Sequence, residues 1–247
     1  MFIRVIFCFT FFISNSQTIL NTESIMSKID KDYIFGLDLS GSVETGNVEI
    51  AEINFSTQIG KKFDNSLFRF IIGYEYESES KEIISQDYSG QIRYNYLLGK
   101  DSFFSFIQSQ SIKSIFMDHR NLFGLGYRKN LFNKKNNNLD FSVGVFYEDE
   151  LYNKSVNPIE VYNYRYSFSS FSNLNFSENL RLNSNLYYQI NTSNSKDYRL
   201  FIEPKLYFDF SDNTSLYLST RHRYHSTPYM PVKKNDTETT IGIELIL

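Results

Sequence analysis

Apolar and polar residues alternate one by one along most of this chain, from Tyr33 to its last residue. In LFRFIIGYEYE, Phe68, Phe70, Ile72, Tyr74 and Tyr76 alternate with Arg69, Ile71, Gly73 and Glu75. In YSGQIRYNY, Tyr88, Ile92, Tyr94 and Tyr96 alternate with Ser89, Gln91, Arg93 and Asn95. LDFSVGVFYE sets Leu139, Phe141, Val143, Val145 and Tyr147 against Asp140, Ser142, Gly144, Phe146 and Glu148. Further on, Leu180, Leu182, Leu186, Tyr188 and Ile190 oppose Arg181, Asn183, Asn185, Tyr187 and Gln189. Tyr198, Leu200, Ile202, Leu206, Phe208 and Phe210 oppose Arg199, Phe201, Glu203, Lys205, Tyr207 and Asp209. The final stretch puts Ile241, Ile243, Leu245 and Leu247 on one face and Thr240, Gly242, Glu244 and Ile246 on the other. A period of two marks a strand whose faces meet different surroundings. In each segment the charges keep to one side.

Weaker segments of the same kind begin near Tyr33, Val48, Phe103, Asn121, Val161 and Leu216. The total is about twelve strands, an even number that suits an all-β, antiparallel up-and-down transmembrane barrel. The connections carry a second pattern. KKFDNS, GKD, FNKKNNN, NFSEN and SDNT are brief and rich in turn formers, whereas of ETGN, ESESKEIISQD, the region around SIFMDHR, EDELYNKSVNP, NTSNSKD and HSTPYMPVKKND most are longer. Short turns at one end and longer loops at the other are the asymmetry of outer-membrane barrels. Pro204 removes a ladder donor within an otherwise unbroken phase, so a bulge or weakened pairing is expected there.

In hydrocarbon every backbone amide must be paired within the protein, which a sheet achieves only by closing on itself. With the charged faces toward lipid, each Arg or Lys near the midplane would cost roughly 2–4 kcal/mol. Several such costs exceed the whole stability of a typical domain. The charged faces are therefore expected to line the lumen, with Arg69, Glu75, Arg93, Asp140, Glu148, Arg181, Arg199, Glu203, Lys205, Asp209 and Glu244 as the candidate lumen-facing residues. Opposite charges confined there pair and brace the wall. Ile241, Ile243, Leu245 and Leu247 are expected to face lipid on a closing strand. That strand resembles the signal read by the barrel-assembly machinery, although such signals most often end in an aromatic residue. Tyr74, Tyr76, Tyr94, Tyr96, Tyr147 and Tyr162 suit girdles at the headgroup level.

Composition agrees with alternation. Aromatics reach 17%, with Phe 24 and Tyr 19, while the mean hydropathy is only -0.36. The net charge of -3 gives no reason to expect nucleic-acid binding. At the start, Arg4 precedes an apolar run from Val5 to Ile13 and then Ser14, Asn15 and Ser16. This reads as a secretory signal over residues 1–16, and the run is shorter than the roughly 20 residues of a spanning helix. Cys8, the single cysteine, falls inside it, so the mature chain would carry no thiol chemistry. Residues 17–31 lack alternation and read as a short periplasmic lead into a barrel over residues 32–247. The expected location is the outer membrane, with its lipid and the assembly machinery as partners and no cofactor.

Several stretches carry a likeness beyond pattern: NLFGLGYRKNLF followed by LDFSVGVFYEDE, YRYSFSSFSNLNFSENLRLNSNLYYQ, DYRLFIEPKLYFDFSDNTSLYLSTRHRYHSTP, and the close NDTETTIGIEL. In order and spacing they resemble the YdiY-like family of bacterial salt-induced outer-membrane proteins, a domain of unknown function. The resemblance covers residues 33–247 and is clearer after Asn121. It implies an outer-membrane barrel without assigned enzymatic activity, and it supplies no catalytic residues.

Candidate chemistry is sparse. His119, His222 and His225 are the three imidazoles. His222 and His225, three apart, would lie on opposite faces of a strand, so rim positions are expected rather than a metal site. No His-Ser-Asn-Gly signature of an outer-membrane phospholipase is present, and Glu148 to Glu150 read as a solvated loop end rather than a protease pair. GLGYRKN is not a phosphate loop, since no helix pattern follows. Its glycines suit close packing across a narrow bore. The leading expectation is a non-enzymatic barrel that contributes to the envelope or passes small polar solutes slowly. Two rivals are a lipase- or protease-type barrel enzyme, which needs Ser, His and acid to converge, and a secreted soluble barrel with apolar faces turned inward around an apolar ligand.

Overall fold

The computed structural model describes residues 33–44, 50–80, 82–134, 137–153 and 157–247. The expected signal segment and the lead at residues 17–31 lie outside the described residues. Twelve strands follow one another: β1 (Tyr33–Glu44), β2 (Ile50–Phe63), β3 (Ser66–Glu79), β4 (Glu82–Leu98), β5 (Asp101–Ile112), β6 (Met117–Lys134), β7 (Asn137–Tyr152), β8 (Ile159–Asn175), β9 (Leu180–Asn191), β10 (Tyr198–Asp209), β11 (Thr214–His225) and β12 (Asn235–Ile246). Each pairs antiparallel with its sequence neighbours, and β12 returns to β1 to close the barrel. The closing ladder runs from Gly36↔Ile246 to Gly41↔Ile241. Reciprocal backbone bonds between Phe35 and Leu247, at 3.1 and 2.9 Å, continue it to the last residue.

Alternation becomes inside and outside. Leu39, Ile53, Ile92, Ile107, Phe123, Leu125, Tyr166, Leu218, Ile241 and Ile243 are all exposed on the outer wall. Arg69, Arg93, Arg120, Glu148, Arg165, Glu203 and Glu244 are buried within. The protein is thus inverted relative to a soluble fold, with ionised groups in its centre and aliphatic and aromatic side chains on its surface. Burying an unpaired ion is expensive, so this arrangement requires the inner charges to meet partners.

The two ends differ. At one end β2–β3, β4–β5, β6–β7, β8–β9 and β10–β11 are joined through residues 64–65, 99–100, 135–136, 176–179 and 210–213. Gly99 there has φ 64°, a left-handed position that glycine adopts without strain. At the other end the connections include 113–116, 153–158, 192–197 and 226–234. One expected long loop is absent: ESESKEIISQD is mostly strand, with β3 reaching Glu79 and β4 starting at Glu82. A bulge between Glu77 and Ser78 adjusts the register. Its apolar residues, Ile83 and Ile84, are consecutive and so fall on opposite faces, which leaves no period of two to read. At SIFMDHR, Lys113–Ile115 form a short 3-10 turn before β6 begins.

Pro204 causes no bulge. Its ladder to β9 is continuous through Pro204↔Ser184, whereas the ladder to β11 passes from Ile202↔His222 to Lys205↔Ser219 in unchanged register. The missing donor weakens one side only. On the outer wall, ring pairs gather toward each end. Phe68–Tyr94 at 4.9 Å and Phe103–Tyr127 at 5.2 Å mark the short-turn end. Tyr74–Tyr88 at 5.1 Å, Tyr147–Tyr164 at 5.3 Å and Tyr198–Tyr224 at 5.5 Å mark the other.

Candidate functional site

The lumen is the site, and it has three levels. Nearest the long loops, Glu148 of β7 is fully buried among three guanidinium groups from β6, β8 and β10. Arg120 Nη2 donates to it at 3.1 Å, Arg199 Nη1 at 2.8 Å, and Arg165 Nε at close range. Glu150 forms ion pairs with Arg120 at 2.9 Å and Arg199 at 3.1 Å. Arg165 reaches on to Asp197, at 2.6 Å, in the β9–β10 loop. Asp197 also accepts from His225 Nε2 at 3.0 Å, Asn191 Nδ2 at 3.1 Å and the Tyr229 hydroxyl at 3.1 Å. Burial alone would raise its carboxyl, but hydrogen bonds from His225 and Arg165 hold it well below the usual carboxylate range.

Above this network lies the β11–β12 loop. Pro228 and Pro231 flank Tyr229 and Met230, and their fixed φ stiffens the segment. Met230 is buried in an apolar cluster with Ile112, Ile115, Met117 and Tyr152. In a ring of twelve strands, β5–β6 stand opposite β11–β12, so the loop spans the mouth. The Tyr229 ring lies 5.6 Å from both Tyr152 and His225. Its hydroxyl accepts from Asn163 at 2.9 Å, and burial pushes its pKa up to about 12.

A second charged group occupies the opposite inner wall. Arg221 meets Glu75 at 3.2 Å, Glu203 at 3.1 Å and Glu238 at 3.3 Å, while Arg223 meets Asp236 at 3.0 Å and Glu238 at 3.3 Å. Carried by β11, these arginines join its ladder neighbours β10 and β12, and Arg221 reaches β3 as well.

The middle level is filled. Gly124 and Gly126 of β6 and Gly144 of β7 leave room for rings from β5: a Cβ at Gly124 or Gly126 would collide with Phe106 or Phe104. The Arg93 guanidinium stacks 4.3 Å from the Phe104 ring centre. Gln91 donates to Gln108 at 2.7 Å and Gln108 to Gln110 at 2.6 Å, a chain of carboxamide hydrogen bonds. A cavity of about 50 Å³ remains beside these groups.

At the short-turn end the lumen widens into a cavity of about 990 Å³. Its fixed charges are mostly satisfied. Arg128 pairs with Asp140 and lies 4.6 Å from the Phe171 ring. Arg181 pairs with Asp209 at 3.2 Å and Glu244 at 3.1 Å and covers Tyr207 at 3.6 Å. Lys205 lies 3.6 Å from Asp38.

The structure places Arg69, Arg93, Asp140, Glu148, Arg181, Arg199, Glu203, Lys205 and Glu244 buried inside the barrel, with Glu75 and Asp209 partly exposed there. Arg69 donates to Asn95 at 3.0 Å. Ile241, Ile243, Leu245 and Leu247 are exposed outside. Two readings need correction. Glu148 and Glu150 are not a solvated loop end but the most buried acids of the lumen, and Asp149 between them faces out toward His119 at 3.4 Å. His225 is not an exposed rim group: at the loop end of β11 it is buried against Asp197, whereas His222 contacts Thr237 at 2.8 Å on the outer wall. Arg120, Arg128, Arg165, Arg221, Arg223 and Asp197 escaped the sequence reading. Arg165 lies in YNYRYSF, where tyrosines on the outer phase blur the contrast that would have revealed it.

The sequence matches the family described as protein of unknown function, DUF481, over residues 37–245. The chain belongs to that family. The match spans β1 to β12, in agreement with the resemblance over residues 33–247. No curated protein sequence matches the chain. Among solved structures it is similar to the NanC porin, with 9% identity, a TM-score of 0.53, and coverage of 85% of this chain and 98% of that one. It is also similar to the COG4313 outer membrane channel from Pseudomonas putida F1, with 7% identity, a TM-score of 0.50, and coverage of 87% and 95%. At such identities the likeness shows the barrel fold shared with this family member.

Proposed function

We propose that the chain is a non-enzymatic outer-membrane barrel, with its short-turn end in the periplasm, that passes small polar solutes only when its outer mouth is released. The observation that carries the reading is the inverted wall: apolar side chains outside and paired ions inside a closed sheet. Only lipid makes that arrangement favourable. The turn asymmetry sets the orientation, since short turns face the periplasm in such barrels. The seal made by Met230 and Tyr229 and the ring-filled middle support a resting state closed to the outside.

The soluble reading needs apolar faces turned inward, and the geometry is the opposite. For the enzyme reading, His225 reaches Asp197, but the neighbouring Ser226 hydroxyl donates to Lys196 O at 2.6 Å and accepts from Tyr198 N at 2.8 Å. The convergence of Ser, His and acid that this reading needs does not form there. Two measurements test the proposal together: fractionation with heat-dependent gel mobility, and conductance in planar bilayers. The account expects a membrane-bound, heat-modifiable protein with rare openings. A protein recovered in the periplasmic soluble fraction contradicts it.

A further inference from the structure

We propose that the cavity at the short-turn end binds a neutral polyhydroxylated solute, a short uncharged oligosaccharide arriving from the periplasm. The inference rests on the orientation proposed above and adds what the lumen holds.

The cavity's volume of about 990 Å³ matches a ligand site of roughly 300–1,000 Å³ rather than a packing defect. Its wall is amide-rich. Asn133 of β6, Asn138 of β7, Asn173 of β8 and Asn183 of β9 stand directly opposite one another in successive ladders: Asn133↔Asn138, Asn138↔Asn173 and Asn173↔Asn183. This makes one row of carboxamides across four strands. A bulge between Asn130 and Phe132 lets Asn130 and Asn133 both line the cavity while Phe132 faces out. Asn130 and Asn138 donate to Asp140 at 2.6 and 3.2 Å, which fixes their side chains. Asn183, at the inner end of the row, lies beyond the cavity lining, whose further carboxamides are Asn175 and Asn179.

Chemistry selects the class of solute. A carboxamide both donates and accepts, as does a hydroxyl, and neither group needs a charged partner. The arginines of the cavity are committed to Asp140, Asp209 and Glu244. At the rim, Lys62 and Lys100 are offset by Glu178 and Asp212. No single-signed field remains to favour an anion or a cation, and the lining is too polar for an apolar ligand.

The test is calorimetry of the full mature chain in lauryldimethylamine oxide micelles, titrated with maltotriose and, separately, with a trisaccharide of galacturonic acid. The expected result is saturable binding of maltotriose at least tenfold tighter than of the charged sugar. The double variant Asn138→Leu, Asn173→Leu should weaken it at least fivefold, and Lys113→Ala at the far end should leave it unchanged. Where that double variant lacks heat-modifiable mobility, Asn133→Leu takes its place, and the discrimination by the wild-type protein decides by itself. Absent or indiscriminate binding by folded wild-type protein overturns the inference, as does full affinity in the folded variants. Missing sugar binding with intact low conductance overturns this inference alone, whereas large resting conductance overturns the closed channel alone.

Discussion

Met230, carried by the loop between β11 and β12, is buried against Ile115, which belongs to the opposite side of the barrel mouth. This burial, together with the hydrogen bonds of Tyr229, holds a strap across the opening. Replacing Met230 with alanine removes the burial. At the lower end of the range for buried Met, about 2 kcal/mol, the open population rises roughly thirtyfold. Single-channel recording should show openings at least ten times more frequent than in the wild type, with stability of the barrel itself unchanged.

Glu148 holds Arg120, Arg165 and Arg199 together. Glu148→Gln leaves three cations facing one another across Glu150, and removing one member of such a buried set costs roughly 3–5 kcal/mol. The urea midpoint in micelles is expected to fall accordingly. A surface pair supplies the contrast: Lys113–Asp118 has side chains 51% and 35% exposed, and Lys113→Ala should change stability by less than about 1 kcal/mol.

Asp197 ties the strap to the wall through Tyr229 and Arg165. Its carboxyl is held below the ordinary range, so the clamp contributes fully above the unfolded value of about pH 4 and is lost as pH falls through the lower folded value. Conductance should stay flat between pH 5 and 8 and rise only in stronger acid. Asp197→Asn should raise it at neutral pH.

Gly124 and Phe106 share one space in the middle of the bore. Gly124→Val is expected to destabilise the barrel by about 1–3 kcal/mol through overpacking. Phe106→Ala in the same chain should restore part of the loss, a non-additivity that thermal gel-shift assays would register.

Much of this fold was legible because one physical contrast, lipid against water, repeats at every second residue. Phe68 to Tyr76 and Ile241 to Leu247 kept that contrast, and their faces were readable. It fails where the strands leave the apolar belt: over residues 77–79 and 82–87 no two-residue period shows, and strand looked like loop. The lumen residues near clean apolar faces, such as Arg69 and Arg181, could be read individually. Their partners could not, because Arg221 meets Glu75 and Tyr217 meets Asp38 only after the ring closes. The strap was read as a long loop; that Met230 crosses the mouth depends on the opposing wall, which no local pattern encodes.

The central claim is the orientation of the wall. Because the chain's single cysteine is Cys8, single cysteines can be placed at Phe123, Leu125, Ile241 and Ile243, spin-labelled in liposomes, and probed by oxygen, which concentrates in lipid, and by a water-soluble nickel chelate. The account predicts strong collision with oxygen and little with nickel at all four. Dominant collision with nickel at these positions would contradict it.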